Sequence, residues 1–288
     1  MPEQTILLAF GLTMIAGLST GIGSLIALVA KSTNSKFLCF SLGFSAGVML
    51  YVSFMDLIPI AKEELVSCFG VKTGTWCLIL AFFGGMGLIT LIDFLIPEKN
   101  NPHELQGVEE MENLNNGKNT LQQTQGVEKT GKLSNRKIAL QRTGFVVALS
   151  LVAHNFPEGI AAFTSAMTGG LSVAIPITIA IAIHNIPEGI AVSVPIYHAT
   201  GNKRKAFWLS FLTGLAEPVG ALVAFIFLWP FWSSSVNGIV MASVAGIMVF
   251  ISLDELLPTA EKYGKHHISI SGLIAGMIVM GLCLYVFI

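Results

Sequence analysis

The chain has 288 residues, of which 53% are hydrophobic and only 11% charged, with a formal net charge of −1 and a mean hydropathy of +0.73. Soluble domains carry about 25% charged residues. The composition therefore excludes a water-soluble enzyme or a nucleic-acid-binding module, and no nucleic-acid partner is expected.

Eight apolar runs, near 5–29, 37–60, 76–96, 143–167, 172–196, 207–229, 237–259 and 268–288, are long enough to cross a hydrocarbon core. That crossing takes about 20 helical residues. The first run is too long for a cleavable leader and lacks a basic start, so it is expected to stay in the mature chain. No run alternates with period two, which favours helices over a barrel. The expected fold is all-α, a polytopic membrane protein of eight transmembrane helices. Spans 1–3 fall in 1–96, a loop in 97–142, and spans 4–8 in 143–288.

Basic residues orient such a chain. With eight spans, fourteen of the Lys and Arg fall on one side, against only Lys62 and Lys72 on the other. The expectation is a multi-pass protein of the cell membrane with both termini outside and loop 97–142 in the cytoplasm. That loop is rich in Asn, Gln, Gly, Lys and Glu and too poor in apolar residues to offset the entropy of ordering it; it reads as a largely disordered linker. Cys68 and Cys77 both fall near the outer face, where they are either a pair or two unrelated thiols.

The ionisable residues at membrane depth are Asp56, Asp93, Glu158, Glu188, Glu217, Asp254, Glu255, His154 and His184, with no Lys or Arg among them. Carboxylates in hydrocarbon are costly and ordinarily paired. Here the missing positive charge has to come from protons or metal ions.

A motif occurs twice: His154-Asn155-Phe156-Pro157-Glu158-Gly159 in the fourth run, and His184-Asn185-Ile186-Pro187-Glu188-Gly189 in the fifth. Each copy is central in its run, and the short link at 168–171 makes the helices antiparallel, so the copies meet at mid-membrane. On a helix His and Glu at i and i+4 share a face, with Asn and Glu at i and i+3. Two imidazoles and two carboxylates suit tetrahedral Zn²⁺. Asn155, Asn185 and a shared carboxylate offer a second, oxygen-richer position, which Glu217 in the sixth run completes. Each proline frees a carbonyl, of Ala153 or Ile183, and the adjacent glycine allows close helix approach.

A second repeat pairs Ser53-Phe54-Met55-Asp56-Leu57-Ile58-Pro59 with Ser252-Leu253-Asp254-Glu255-Leu256-Leu257-Pro258. Asp56 aligns with Glu255, one toward each face of the membrane, as in the inverted repeats of secondary transporters. Met49, seven residues before Asp56, offers a soft ligand on the same face or simple packing. His266 and His267 at the inner end of the seventh run either receive the ion or are solvated surface. Asp93 has no matched partner and reads as interfacial.

The paired HNxPEG motifs, Ala216-Glu217-Pro218, the eight spans and the long loop after the third span resemble the ZIP family of metal transporters, most closely its bacterial ZupT-like branch. The resemblance covers essentially the whole chain. It implies inverted repeats in a 3+2+3 arrangement around a midplane binuclear centre. His154, Glu158, His184 and Glu188 would form the primary site. Asn155, Glu158, Asn185, Glu188 and Glu217 would form the secondary one, with Glu158 and Glu188 bridging. Asp56 and Glu255 would belong to the entry and release routes, beside which the second repeat offers Met49 and Asp254 as further pathway candidates, and ions would move toward the cytoplasm. The metal, zinc foremost with iron, manganese, cobalt and cadmium as kin, is then substrate, two ions per protomer, and no prosthetic group is expected. The partners implied are the ion and membrane lipid. Homodimers occur in the family, and Gly43 with Gly47 and Gly272 with Gly276 have GxxxG spacing.

The alternative from another class is an intramembrane zinc-dependent hydrolase, since His and Glu around zinc also activate water. No HExxH is present and no general base is left over. A channel with two adjacent ion positions is the other alternative.

Overall fold

The computed structural model describes the backbone of residues 3–29, 35–95 and 128–287. Within these stretches the side chains of 128–151, Ala153, His154, Asp93 and His198 are among those not described. The described backbone is helical throughout, joined by short turns. In chain order come α1 (Glu3–Val29), α2 (Ser35–Val52), α3 (Ile58–Leu95), α4 (Glu128–Thr200), α5 (Lys203–Gly214), α6 (Ala216–Val223), α7 (Ser234–Ile251), α8 (Leu257–Tyr263) and α9 (His266–Phe287). Six stretches among the described residues are long and apolar enough to cross a membrane, the longest being Lys36–Ile92.

Two of the long helices are folded back on themselves by a glycine. Gly70 in α3 has φ 78° and Gly170 in α4 has φ 68°, a left-handed backbone open to a residue without Cβ. The break at Gly170 falls within the short link expected at 168–171. α4 begins at Glu128, so helical backbone reaches into the segment read as linker. The sequence there, with Lys132, Leu133, Arg136, Lys137, Ala139, Leu140 and Gln141, is rich in good helix formers. Residues 96–127, the rest of that segment, lie outside the described residues.

Three π-type turns interrupt the helices, at Ser53–Leu57, Ala224–Leu228 and Ser252–Leu256. In each, an amide bonds to the carbonyl five residues back: Ile58 to Ser53, Trp229 to Ala224, Leu257 to Ser252. The next residue is always proline: Pro59, Pro230 or Pro258. Proline lacks the amide hydrogen and its ring crowds the carbonyl four back; a turn widened by one residue absorbs both conflicts.

The turns at Ser53 and Ser252 are the second sequence repeat, and the match in structure is longer than the seven residues first aligned. Gly47, Met49 and Ala61 correspond to Gly246, Met248 and Ala260. Met49, Met248, Ala61 and Ala260 are all buried. Ser53 Oγ donates to Met49 O and Ser252 Oγ to Met248 O, each at 2.8 Å.

α1 packs chiefly on α4, α3 on α7, and α2 on α9. The largest apolar cluster joins α2, α7 and the second half of α4 through Leu42, Met49, Met241, Val244, Ile190 and Val194. A second joins α1, the first half of α4 and α6, where the rings of Phe10, Phe163 and Phe225 meet at 4.9–6.0 Å. The GxxxG glycines are used inside one chain. A Cβ on Gly43 would stand 2.2 Å from Ser269 O, and one on Gly276 2.1 Å from Phe44 O. They build the α2–α9 crossing, so their spacing carries no argument for a dimer. Cys68 and Cys77 are both free thiols.

Candidate metal centre

The fold-back at Gly170 brings the two motif copies together. His184 Nε2 of the second copy lies 3.1 Å from both Oε1 and Oε2 of Glu158 in the first. Glu217 enters from α6, whose first residues follow the break at Leu215. Asn155, Glu158, His184, Asn185, Glu188 and Glu217 are all buried, and no Lys or Arg is buried among the described residues. Three carboxylates gathered where no described Lys or Arg is buried make a site that attracts cations.

Both asparagines are aimed by neighbouring helices. Asn155 Nδ2 donates to Thr213 O at 3.2 Å. Asn185 Nδ2 donates to Ala16 O at 3.0 Å and also to Glu217 Oε1. With the donor ends engaged, Oδ1 of Asn155, Oδ1 of Asn185 and Oε2 of Glu217 are buried without a hydrogen-bond partner. Leaving a buried acceptor unsatisfied costs about 1–3 kcal/mol, and three acceptors in one cluster are what a hard or borderline cation takes as ligands. From α2, Ser45 Oγ donates to His184 O at 3.3 Å and lies 3.5 Å from Glu188 Oε1.

The motif glycines allow this convergence. A Cβ on Gly159 would stand 2.0 Å from Glu217 O, and one on Gly189 2.0 Å from Thr20 O. The first glycine therefore sets how near α6 can bring Glu217; the second seats α1 with its acceptor at Ala16.

Among the described residues, no group of three His, Cys, Asp or Glu side chains stands ready to hold one ion. The His154 side chain lies outside the described residues, and the amide oxygens of Asn155 and Asn185 are not in that count. Of the proposed route residues, Met49 is buried in the main core. Asp56 is half-buried in the first π-type turn, with Oδ2 buried and lacking a hydrogen-bond partner. In the second turn Asp254 is exposed and Glu255 half-buried. His266 Nδ1 lies 2.6 Å from Glu261 Oε1 at the exposed end of α9. Asp93 lies among the side chains not described.

Ser45, Thr213 and Ala16 were not legible as site residues. Two of them act through a backbone carbonyl, to which any residue type contributes equally. Ser45 looks in sequence like one of many small residues of a membrane helix. Glu217-Pro218 gave a usable signal, because the acid and the broken helix fall together.

Residues 3–284 match the model of the family described as ZIP Zinc transporter. The chain is 56% identical to a protein named zinc transporter ZupT of Clostridium perfringens, over 99% of this chain and 98% of that one. It is 52% identical to the one of Streptococcus mutans, over 99% and 100%. With that of Chlorobium chlorochromatii the identity is 50%, over 99% of each chain.

Proposed function

The chain belongs to the ZIP family of zinc transporters, and from that premise we propose that it carries Zn²⁺ toward the cytoplasm through a binuclear centre at mid-membrane. The family consists of membrane transporters, so the hydrolase reading is set aside. The proposed architecture is eight spans arranged as three, two and three. Gly70 and Gly170 each divide one continuous helix into two crossings, which raises six apolar stretches toward eight. In this reading both termini are outside, and the chain acts alone or as a homodimer in the cell membrane.

His154, Glu158, His184 and Glu188 hold the first ion in this proposal. Asn155, Asn185 and Glu217 hold the second, with Glu158 and Glu188 shared. Met49, Asp56, Asp254 and Glu255 line the approaches. The observation that carries the reading is the set of buried oxygens on Asn155, Asn185 and Glu217 without a hydrogen-bond partner, beside the buried carboxylates of Glu158 and Glu188, with no Lys or Arg buried among the described residues. Mixed nitrogen and oxygen ligands also admit Fe²⁺, Mn²⁺, Co²⁺ and Cd²⁺, with affinity rising toward the later metals.

The contact between His184 and Glu158 supplies a mechanism. His184 Nε2 and the Glu158 carboxylate are close enough to share a proton. An ion bound between them takes the place of any proton held there. Uptake of each metal by the purified protein in liposomes, with pH set separately on the two sides, tests the proposal. Zinc accumulation that requires Glu158 is the expected result; zinc-independent behaviour of the intact protein would sink it.

A further inference from the structure

Beside the first motif lies an apolar cavity of about 550 Å³, bounded by α3, α4 and α7. Leu88 and Ile92 of α3, Phe156 and Pro157 of α4, and Val244 and Ile247 of α7 form its walls. Among the described wall residues Ser243 is the polar one, and it turns its hydroxyl to helix carbonyls, donating to Ile239 O at 2.8 Å and lying 3.2 Å from Ala81 O. Water needs two to four polar partners in a cavity, and the described walls offer none. The cavity is open on one side, and lining atoms without neighbours forfeit their dispersion contacts unless a molecule from outside supplies them.

The repeat places different residues against the two motifs. Aligning Ser53 with Ser252 places Ser45 opposite Val244. Ser45 touches the second motif directly, at His184 O. Val244 faces the first motif across the cavity, at Phe156 and Pro157. The surface at its rim is lipid-facing: Leu88, Ile92 and Val152 are among the exposed apolar residues there. In a membrane span such a rim meets hydrocarbon.

We propose that an acyl chain of a membrane phospholipid occupies this cavity and packs against Phe156 and Pro157, one residue from Glu158. The chain acts as a removable part of the interface between the motif helix and the α3–α7 pair. Transport then depends on which acyl chains the bilayer supplies. The inference does not require the binuclear reading, since it rests on the cavity alone.

The test is photolabelling of the full-length protein in liposomes containing phosphatidylcholine with a diazirine at mid-chain, followed by peptide mapping. Labels on 156–160 and 240–247 are expected. Labels confined to the outer surface, such as Phe94, would overturn the proposal, as would labelling of the cavity by a photoactivatable free fatty acid but not by the phospholipid. Val244→Trp should fill the space and bring cavity labelling to background while Phe94 stays labelled; persistence at the parent level would also overturn it. If Val244→Trp does not reach the membrane, Val240→Phe fills the same space from a neighbouring turn and is read in the same way.

Discussion

His184 Nε2 stands 3.1 Å from each carboxylate oxygen of Glu158, so the two copies of the motif are joined by a contact between the imidazole of one and the acid of the other. A proton shared across that contact would compete with an ion bound between the same two groups. Removing Glu158 affects both proposed ion positions; removing Glu217 affects one. Glu158→Ala is expected to lose zinc binding and uptake together. Glu217→Ala should still bind zinc while its transport rate or metal selectivity changes. Equilibrium binding and liposome uptake on the same preparations decide between these outcomes, and parental behaviour of Glu158→Ala would rule out the centre as the ion's route.

Proton competition gives the sign of the pH dependence. Imidazole and carboxylate ligands bind metal only when deprotonated. Zinc affinity should therefore fall as pH falls, and zinc binding at constant pH should release protons. Acidifying the cytoplasmic side is expected to speed discharge of the ion. Calorimetry in buffers of different ionisation enthalpy measures the proton release, and a value of zero would contradict the shared-proton contact.

Gly159→Ala places a methyl group about where Glu217 O now lies, 2.0 Å from the ideal Cβ position. Backbone cannot give way as a flexible side chain can, so α6 must move outward and carry Glu217 with it. Overpacking of this kind costs about 1–3 kcal/mol. Zinc uptake should drop steeply while the protein still reaches the membrane. Gly11→Ala, with open space around its Cβ, is the matched control and should transport as the parent does.

Asn185 donates to Ala16 O and to Glu217. Asn185→Leu leaves Glu217 Oε1 buried and unserved, a loss of about 1–3 kcal/mol, while Ala16 O keeps the Ser19 hydroxyl at 2.6 Å and loses only its tie to α4. Thermal unfolding in detergent should shift down, and added zinc should restore less of the stability than it does in the parent. An unshifted midpoint would mean that the amide is not holding the two helices to the site.

From the basic-residue distribution Lys72 is expected outside and Arg204 inside. Both are exposed, so a cysteine at either position is open to reagent. An impermeant maleimide applied to intact cells should modify Lys72→Cys and spare Arg204→Cys. The opposite pattern would invert the membrane orientation proposed for the chain.

The sequence by itself determined the membrane setting and the helical class, and it nominated the residues of the proposed centre. Apolar length, the lack of period-two alternation and acids without basic partners are properties of local sequence. The HNxPEG copies were legible for the same reason: i, i+3 and i+4 spacing fixes a face on any helix. The tertiary structure decided what spacing cannot. It joined Glu158 to His184 rather than leaving each copy to itself, and it turned the amide of Asn185 toward Ala16, freeing its oxygen. It spent the GxxxG glycines on the α2–α9 crossing inside one chain, where the spacing alone was equally compatible with a contact between chains. It also widened the helices before Pro59, Pro230 and Pro258 while leaving α4 helical through Pro157 and Pro187. Proline imposes the same missing hydrogen bond at all five positions; the packing around each one decides whether the helix absorbs it by an extra residue or by a freed carbonyl.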